Sequence, residues 1–259
     1  MWGVFMSDIA FAFLLTLLAG LATGVGGCIV FFTKMENKKL LAVCLAFATG
    51  VMLYISFAEI LLKGFEGLEA VYGNGMGYLI ATMAFFAGVG FMAVLDKYTN
   101  RREAESLKRT GQMSALAIAI HNFPEGFITF MAAMYDPALG IVIAIAVSIH
   151  NIPEGIAMAA PLYYATGNRK KSLLTAVASG LTEPLGGLLA WFLLTRFFGD
   201  VEAIFGITFA IVGGIMVFVT LHQLLPTAYK YGKHGAIIRW LFAGMAVMAL
   251  SLVVMGFVV

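Results

Sequence analysis

The sequence predicts an all-α polytopic membrane protein, a bundle of eight transmembrane helices with both termini outside. Three observations predict it. Of 259 residues, 61% are hydrophobic and only 12% are charged, whereas soluble domains carry about 25% charged residues. The apolar residues fall into eight runs, each long enough for the ~20 residues that cross a bilayer. The basic residues between the runs alternate in abundance from one connector to the next, as the positive-inside rule requires of a multi-pass chain.

The runs cover 8–33, 39–62, 75–96, 113–134, 138–164, 171–195, 203–229 and 236–258. The first is too long for a cleaved signal peptide and lacks its basic start. Its Gly24, Gly26 and Gly27 serve helix packing, since no strand precedes them as a phosphate loop would need. The second carries Glu59 near its outer end. Cys28 and Cys44 fall in apolar runs as buried thiols, without the spacing of a zinc knuckle. The longest connector, Lys97 to Gly111, holds Arg101, Arg102, Glu103, Glu105, Lys108 and Arg109. The seventh run carries His222 and Gln223 near its inner end. No connector has room for a soluble domain, so 1–259 is expected to be one transmembrane domain.

With the amino terminus outside, the inner connectors hold Lys34, Lys38, Lys39, Lys97, Arg101, Arg102, Lys108, Arg109, Arg169, Lys170, Lys171, Lys230, Lys233 and Arg239, and the outer ones only Lys63 and Arg196. Adding or losing one helix would scramble that alternation. His234 then lies in a basic inner loop, solvated, and Asp8 and Asp136 face outside.

The fourth and fifth runs repeat one motif: His121-Asn122-Phe123-Pro124-Glu125-Gly126 and His150-Asn151-Ile152-Pro153-Glu154-Gly155. A charged side chain at the bilayer centre costs roughly 2.5–3.5 kcal/mol or more. No lysine or arginine lies within these runs to offset it, so the expected counter-charge is a bound cation. At ~1.5 Å rise per residue, His121 and Glu125 lie ~12 and ~18 Å from the inner surface. His150 and Glu154 lie ~18 and ~24 Å from the outer one, so the two motifs overlap in depth. Glu183 on the sixth run, ~16 Å deep, can join them.

His and Glu four residues apart share one helical face and can grip one ion together. Pro124, Pro153 and Pro184 each remove a helical hydrogen bond, freeing the carbonyls of Ile120, Ile149 and Gly180, and should kink their helices. Small residues around the motifs allow close helix approach. Imidazole with carboxylate and amide oxygens suits zinc, iron(II), manganese or cobalt; copper(I) would favour sulfur, and sodium or potassium would not call for histidine. Glu125 and Glu154 could bridge two ions. His121 and His150 would favour one site, and Asn122, Asn151 and Glu183 an oxygen-rich second site beside it.

On these motifs and eight spans the chain resembles the ZIP (Zrt/Irt-like) metal transporters, in particular their bacterial zinc-uptake branch, along its whole length. The resemblance implies that Glu125, His150 and Glu154 bind metal in a first site, with His121 beside them. It implies a second site of Asn122, Asn151 and Glu183 that shares Glu125 and Glu154. It implies uptake of Zn(II), with Fe(II), Mn(II), Co(II) and Cd(II) as further substrates, without ATP and without a prosthetic group. It also implies a homodimer and a bacterial inner-membrane address, with metal ions and lipid rather than nucleic acid as partners. Glu59, His222 and Gln223 are candidates for the access or exit path. The chain departs from many eukaryotic members in having no histidine in the connector between helices 3 and 4. It departs from many relatives in having Gln223 where an acid would follow His222.

Two other classes compete. An intramembrane metal-dependent hydrolase would use paired metals to activate water, but the ligands nearly saturate the site and no zincin His-Glu-x-x-His is present. A proton-coupled carrier would use the His–Glu pairs as a relay and would move its solute without metal.

Overall fold

The structure is a computed structural model that describes residues 2–32, 34, 37–99, 107–196 and 201–257. Arg101, Arg102, Glu103 and Glu105 of the basic connector lie outside the described residues. Among the described residues every regular element is helical, and eight helices are long and apolar enough to cross a membrane. They are α1 (Asp8–Phe32), α2 (Lys38–Tyr72), α3 (Asn74–Lys97), α4 (Lys108–Met134), α5 (Pro137–Thr166), α6 (Arg169–Leu193), α7 (Gly206–Tyr231) and α8 (His234–Val254). The protein is a multi-pass, all-α membrane protein.

The connectors are short because polar residues end one helix and start the next. The Asn37 side chain accepts from Leu40 N at 3.1 Å at the start of α2. Asp136 accepts from Ala138 N at 2.8 Å with Pro137 in the first helical turn of α5. Gly167, at φ +68°, closes α5, and Asn168 caps α6 by accepting from Lys171 N. Each cap satisfies an N–H or carbonyl that the helix end would leave open.

One expectation needs correction. The second apolar run does not end near residue 62: α2 continues to Tyr72, and Gly73 alone, at φ +79°, turns the chain into α3. The added turns are amphipathic. Leu68 is buried with Ala81, Ala84 and Ala210, Leu61 and Phe65 pack on that cluster, and Phe65 stacks on Tyr78 at 4.4 Å. A span count by hydropathy stops where the polar face begins. α4 and α5 run on as helix through Pro124 and Pro153, whereas α6 is interrupted at Leu181, ahead of Glu183 and Pro184.

The helices are locked in pairs by a recurring close approach. A methyl group placed on Gly126 would lie 1.9 Å from the Glu183 carbonyl oxygen, and one on Gly186 would lie 1.8 Å from that of Phe123. α4 and α6 therefore touch backbone to backbone, each giving a carbonyl at one position and a glycine three residues on. α1 and α5 meet the same way through Thr23/Gly26 and Ile152/Gly155, α2 and α8 through Phe47/Gly50 and Leu241/Gly244, and α3 and α7 through Phe85/Gly88 and Ile211/Gly214. Small residues are what let membrane helices approach this closely. These clasps, with the broad α4–α5 contact, set α1, α4, α5 and α6 as one group and α2, α3, α7 and α8 as another.

Candidate metal centre

Both repeated motifs sit in the first group, on the facing sides of α4 and α5. Their one-turn spacing brings the four ionisable side chains to one point. His150 Nε2 lies 2.7 Å from Glu125 Oε1, and His121 Nε2 lies 3.0 Å from the same oxygen and 3.5 Å from Glu154 Oε1. The imidazole centroids are 6.2 Å apart. His121, Glu125, His150 and Glu154 are all buried, none more than 7% exposed. His121, Glu125 and His150 each offer a ligand atom, and these atoms all lie within 4.8 Å of one another.

A second, oxygen-rich cluster adjoins it. Asn151 Nδ2 donates to Glu183 Oε1 and, at 2.9 Å, to the Ala19 carbonyl of α1. The Asn122 amide is best satisfied with its nitrogen toward the Ile118 carbonyl (3.0 Å) and Glu154 Oε2 (3.2 Å), which turns its oxygen toward the Thr23 hydroxyl. Glu183 and Thr23 are fully buried. The interruption of α6 at Leu181 and the α4–α6 clasp place Glu183 against the residue that follows Glu125.

Several of these atoms have no hydrogen bond within the protein: Glu125 Oε2, Glu154 Oε1, Glu183 Oε2 and Asn151 Oδ1. Buried carboxylate and amide oxygens are costly to leave unmatched. Converging oxygens and imidazole nitrogens of this kind suit a divalent transition-metal ion. The structure thus brings His121, Asn122, Glu125, His150, Asn151, Glu154 and Glu183 together.

Glu59 also reaches this region. It lies in a π turn, Ser56–Ile60, within α2, well before the end of that helix. A narrow cavity runs from Glu125 and His150 to Glu59 and Lys63. Lys63 Nζ donates to Glu59 Oε1 at 2.7 Å. His222 and Gln223 do not join the cluster. They occupy a second π turn, Thr220–Leu224, and both contact Asp96: Gln223 Nε2 at 2.8 Å and His222 Nε2 at 3.3 Å. Arg109 of α4 pairs with the same buried carboxylate and also donates to the Asp96 carbonyl at 3.0 Å.

The family model described as ZIP Zinc transporter matches residues 99–252. The chain is 45% identical to the zinc transporter ZupT of Clostridium perfringens over 95% of its length and 96% of that protein's. It is 49% identical to the ZupT of Chlorobaculum parvum, over 95% and 98%, and 49% to that of Corynebacterium efficiens, over 95% and 97%. The chain belongs to the ZIP family. Its ZIP relatives are named as transporters, not enzymes, and zinc is what they are named as carrying.

Sequence reading of this ZIP chain missed four residues. Thr23 reads as one more small residue in an apolar run. Lys63 reads as a loop charge because α2 reads as ending before it. Asp96 reads as an acid at the end of a span and Arg109 as a connector charge. The alternation of spans does place the end of α3, the start of α4 and the end of α7 on one side, and that was the available signal for the Asp96 cluster.

Proposed function

We propose that the chain takes up divalent metal cations across the membrane, chiefly Zn(II), with Fe(II), Mn(II), Co(II) and Cd(II) as further substrates. One observation carries the reading: His121, Glu125, His150 and Glu154 converge at one buried point, with carboxylate oxygens left unmatched by the protein. His121, Glu125, His150 and Glu154 form the first site. Asn122, Asn151 and Glu183, sharing Glu125 and Glu154, form the second, so that helices 4, 5 and 6 supply the ligands of the transported ion. The ZupT names of the relatives support zinc as the main cargo.

The cavity at Glu59 is the access side and the Asp96 cluster, with His222 and Gln223, marks the exit side. The asymmetry of basic residues supports an outward amino and carboxyl terminus, which makes the transport inward. The address is the bacterial inner membrane, and the assembly a homodimer. The two clasped groups meet at the metal centre and at both ends of the path. Alternating access follows if one group shifts against the other, closing one end as the other opens.

Uptake of Zn(II), Fe(II) and Mn(II) into proteoliposomes tests this, with Glu154→Ala alongside. The native chain is expected to show saturable uptake and the variant none. Tight metal binding without uptake would overturn the reading and favour the hydrolase. Because imidazole and carboxylate must be deprotonated to bind metal, Zn(II) uptake is expected to weaken as the outer pH is lowered. An initial-rate series at fixed free Zn(II) measures it.

A further inference from the structure

The cavity above the metal centre contains a charge that a cation path would be expected to avoid. Its floor is Glu125 and His150, and its walls include Ile143, Val147 and Phe209. At its mouth stands Lys63, the one lysine or arginine lining it among the described residues, with its ammonium 2.7 Å from Glu59. Stability does not account for the pair. Ion pairs between adjacent turns of one helix, as accessible to solvent as this one (side chains 41% and 17% exposed), contribute little to stability. An unpaired ammonium in a narrow apolar throat would repel an incoming cation, because such walls focus the field of a fixed charge.

We propose that Lys63 is a specificity-determining residue of the access cavity: its ammonium holds the Glu59 carboxylate as a tethered counter-ion and yields it to a divalent cation, but not to a monovalent one, on its way to Glu125 and His150. The inference rests on the divalent-transport reading above. A lysine suits the role. Its charge is a single point on a four-carbon stem that can swing, unlike the rigid fork of an arginine. Its partial exposure leaves room for that swing. A divalent ion brings twice the charge to Glu59 and can displace the ammonium. A sodium ion brings only an equal charge, while the ammonium is already held at high local concentration by its stem. Lys63 therefore occupies Glu59 against the monovalent ions that are abundant outside, and costs the metal only the exchange.

The test is the initial rate of Zn(II) uptake in proteoliposomes, measured for the parent, K63Q, K63R, E59Q and the E59Q/K63Q double variant. External salt is sodium chloride or choline chloride at equal ionic strength. In choline, K63Q is expected to lower KM by about threefold or more, the scale of removing one charge from a focused field, with little change in maximal rate. In sodium, much of that gain disappears in K63Q, whereas the parent KM is the same in both salts. K63R keeps the parent's insensitivity to sodium, and the double variant loses the low KM because Glu59 is no longer there to be freed. An unchanged or raised KM in K63Q, or an equal fall with and without Glu59, overturns the proposal. K63M removes the same charge with an apolar stem and is used if K63Q does not elute like the parent. If the parent itself takes up no metal, the transport reading fails instead, so the two failures are distinct.

Discussion

The proposed path has an ion pair at each end, and the two are built in opposite ways. At one end Lys63 and Glu59 belong to adjacent turns of a single helix and are 41% and 17% exposed. At the other, Arg109 and Asp96 come from α4 and α3, and each is 8% exposed. Gln223 and His222 from α7 add two further contacts to the same carboxylate, and the hydroxyls of Thr110 and Thr227 meet nearby at 3.3 Å. The first pair can open without moving a helix. The second joins the two clasped groups, since α4 lies in one and α3 and α7 in the other, so those groups cannot part at that end until it is broken. The difference shows that one type of ion pair does two kinds of work, depending on whether its partners share a helix.

Unfolding measurements in detergent can break or sharpen this contrast. The largest effect is expected for Arg109→Met, which leaves Asp96 buried without its cation: a loss of about 3–5 kcal/mol. Adding Asp96→Asn to that variant should restore much of the loss, because a buried pair is costly mainly when one partner is removed alone. Gln223→Leu removes one donor from the same carboxylate and should cost about 1–3 kcal/mol. Lys63→Gln should change stability by no more than about 0.5 kcal/mol. Equal costs at the two ends would erase the distinction. A larger cost at Lys63 would reverse it.

Much of this was legible before any coordinates. Eight runs of apolar residues and their alternating basic flanks are one-dimensional signals, and they define the spans. The duplicated His-Asn-x-Pro-Glu-Gly motif is equally local: its His and Glu must share a helical face wherever the helix goes. What the sequence concealed depends on register or on contact. Glu59 comes within reach of the metal centre through a π turn, and such a turn has no reliable signature in composition. Pro124 and Pro153 lie within continuous helix while Pro184 follows an interruption, a difference the prolines themselves do not announce. Asp96 is an ordinary span-end acid and Arg109 an ordinary connector charge until three helix ends are brought together in space. Thr23 and the clasp glycines have meaning only opposite their partners.

The clasps also carry an internal symmetry. They exchange among themselves if α1, α2 and α3 are swapped with α6, α7 and α8, and α4 with α5: the α1–α5 clasp becomes α6–α4, and α2–α8 becomes α7–α3. Four spans, or none for α4 and α5, separate these counterparts, so each pair crosses in opposite senses, as in an inverted-topology repeat. The correspondence extends to single residues. Each π turn begins six residues after its clasp glycine, Gly50 in α2 and Gly214 in α7, so Glu59 and Gln223 occupy equivalent positions in the two halves. Thr23 and Glu183 are likewise one position in the two halves. Equivalent positions are thus filled in unlike ways: in one half an acid meets a lysine beside a cavity, and in the other an amide binds a buried aspartate.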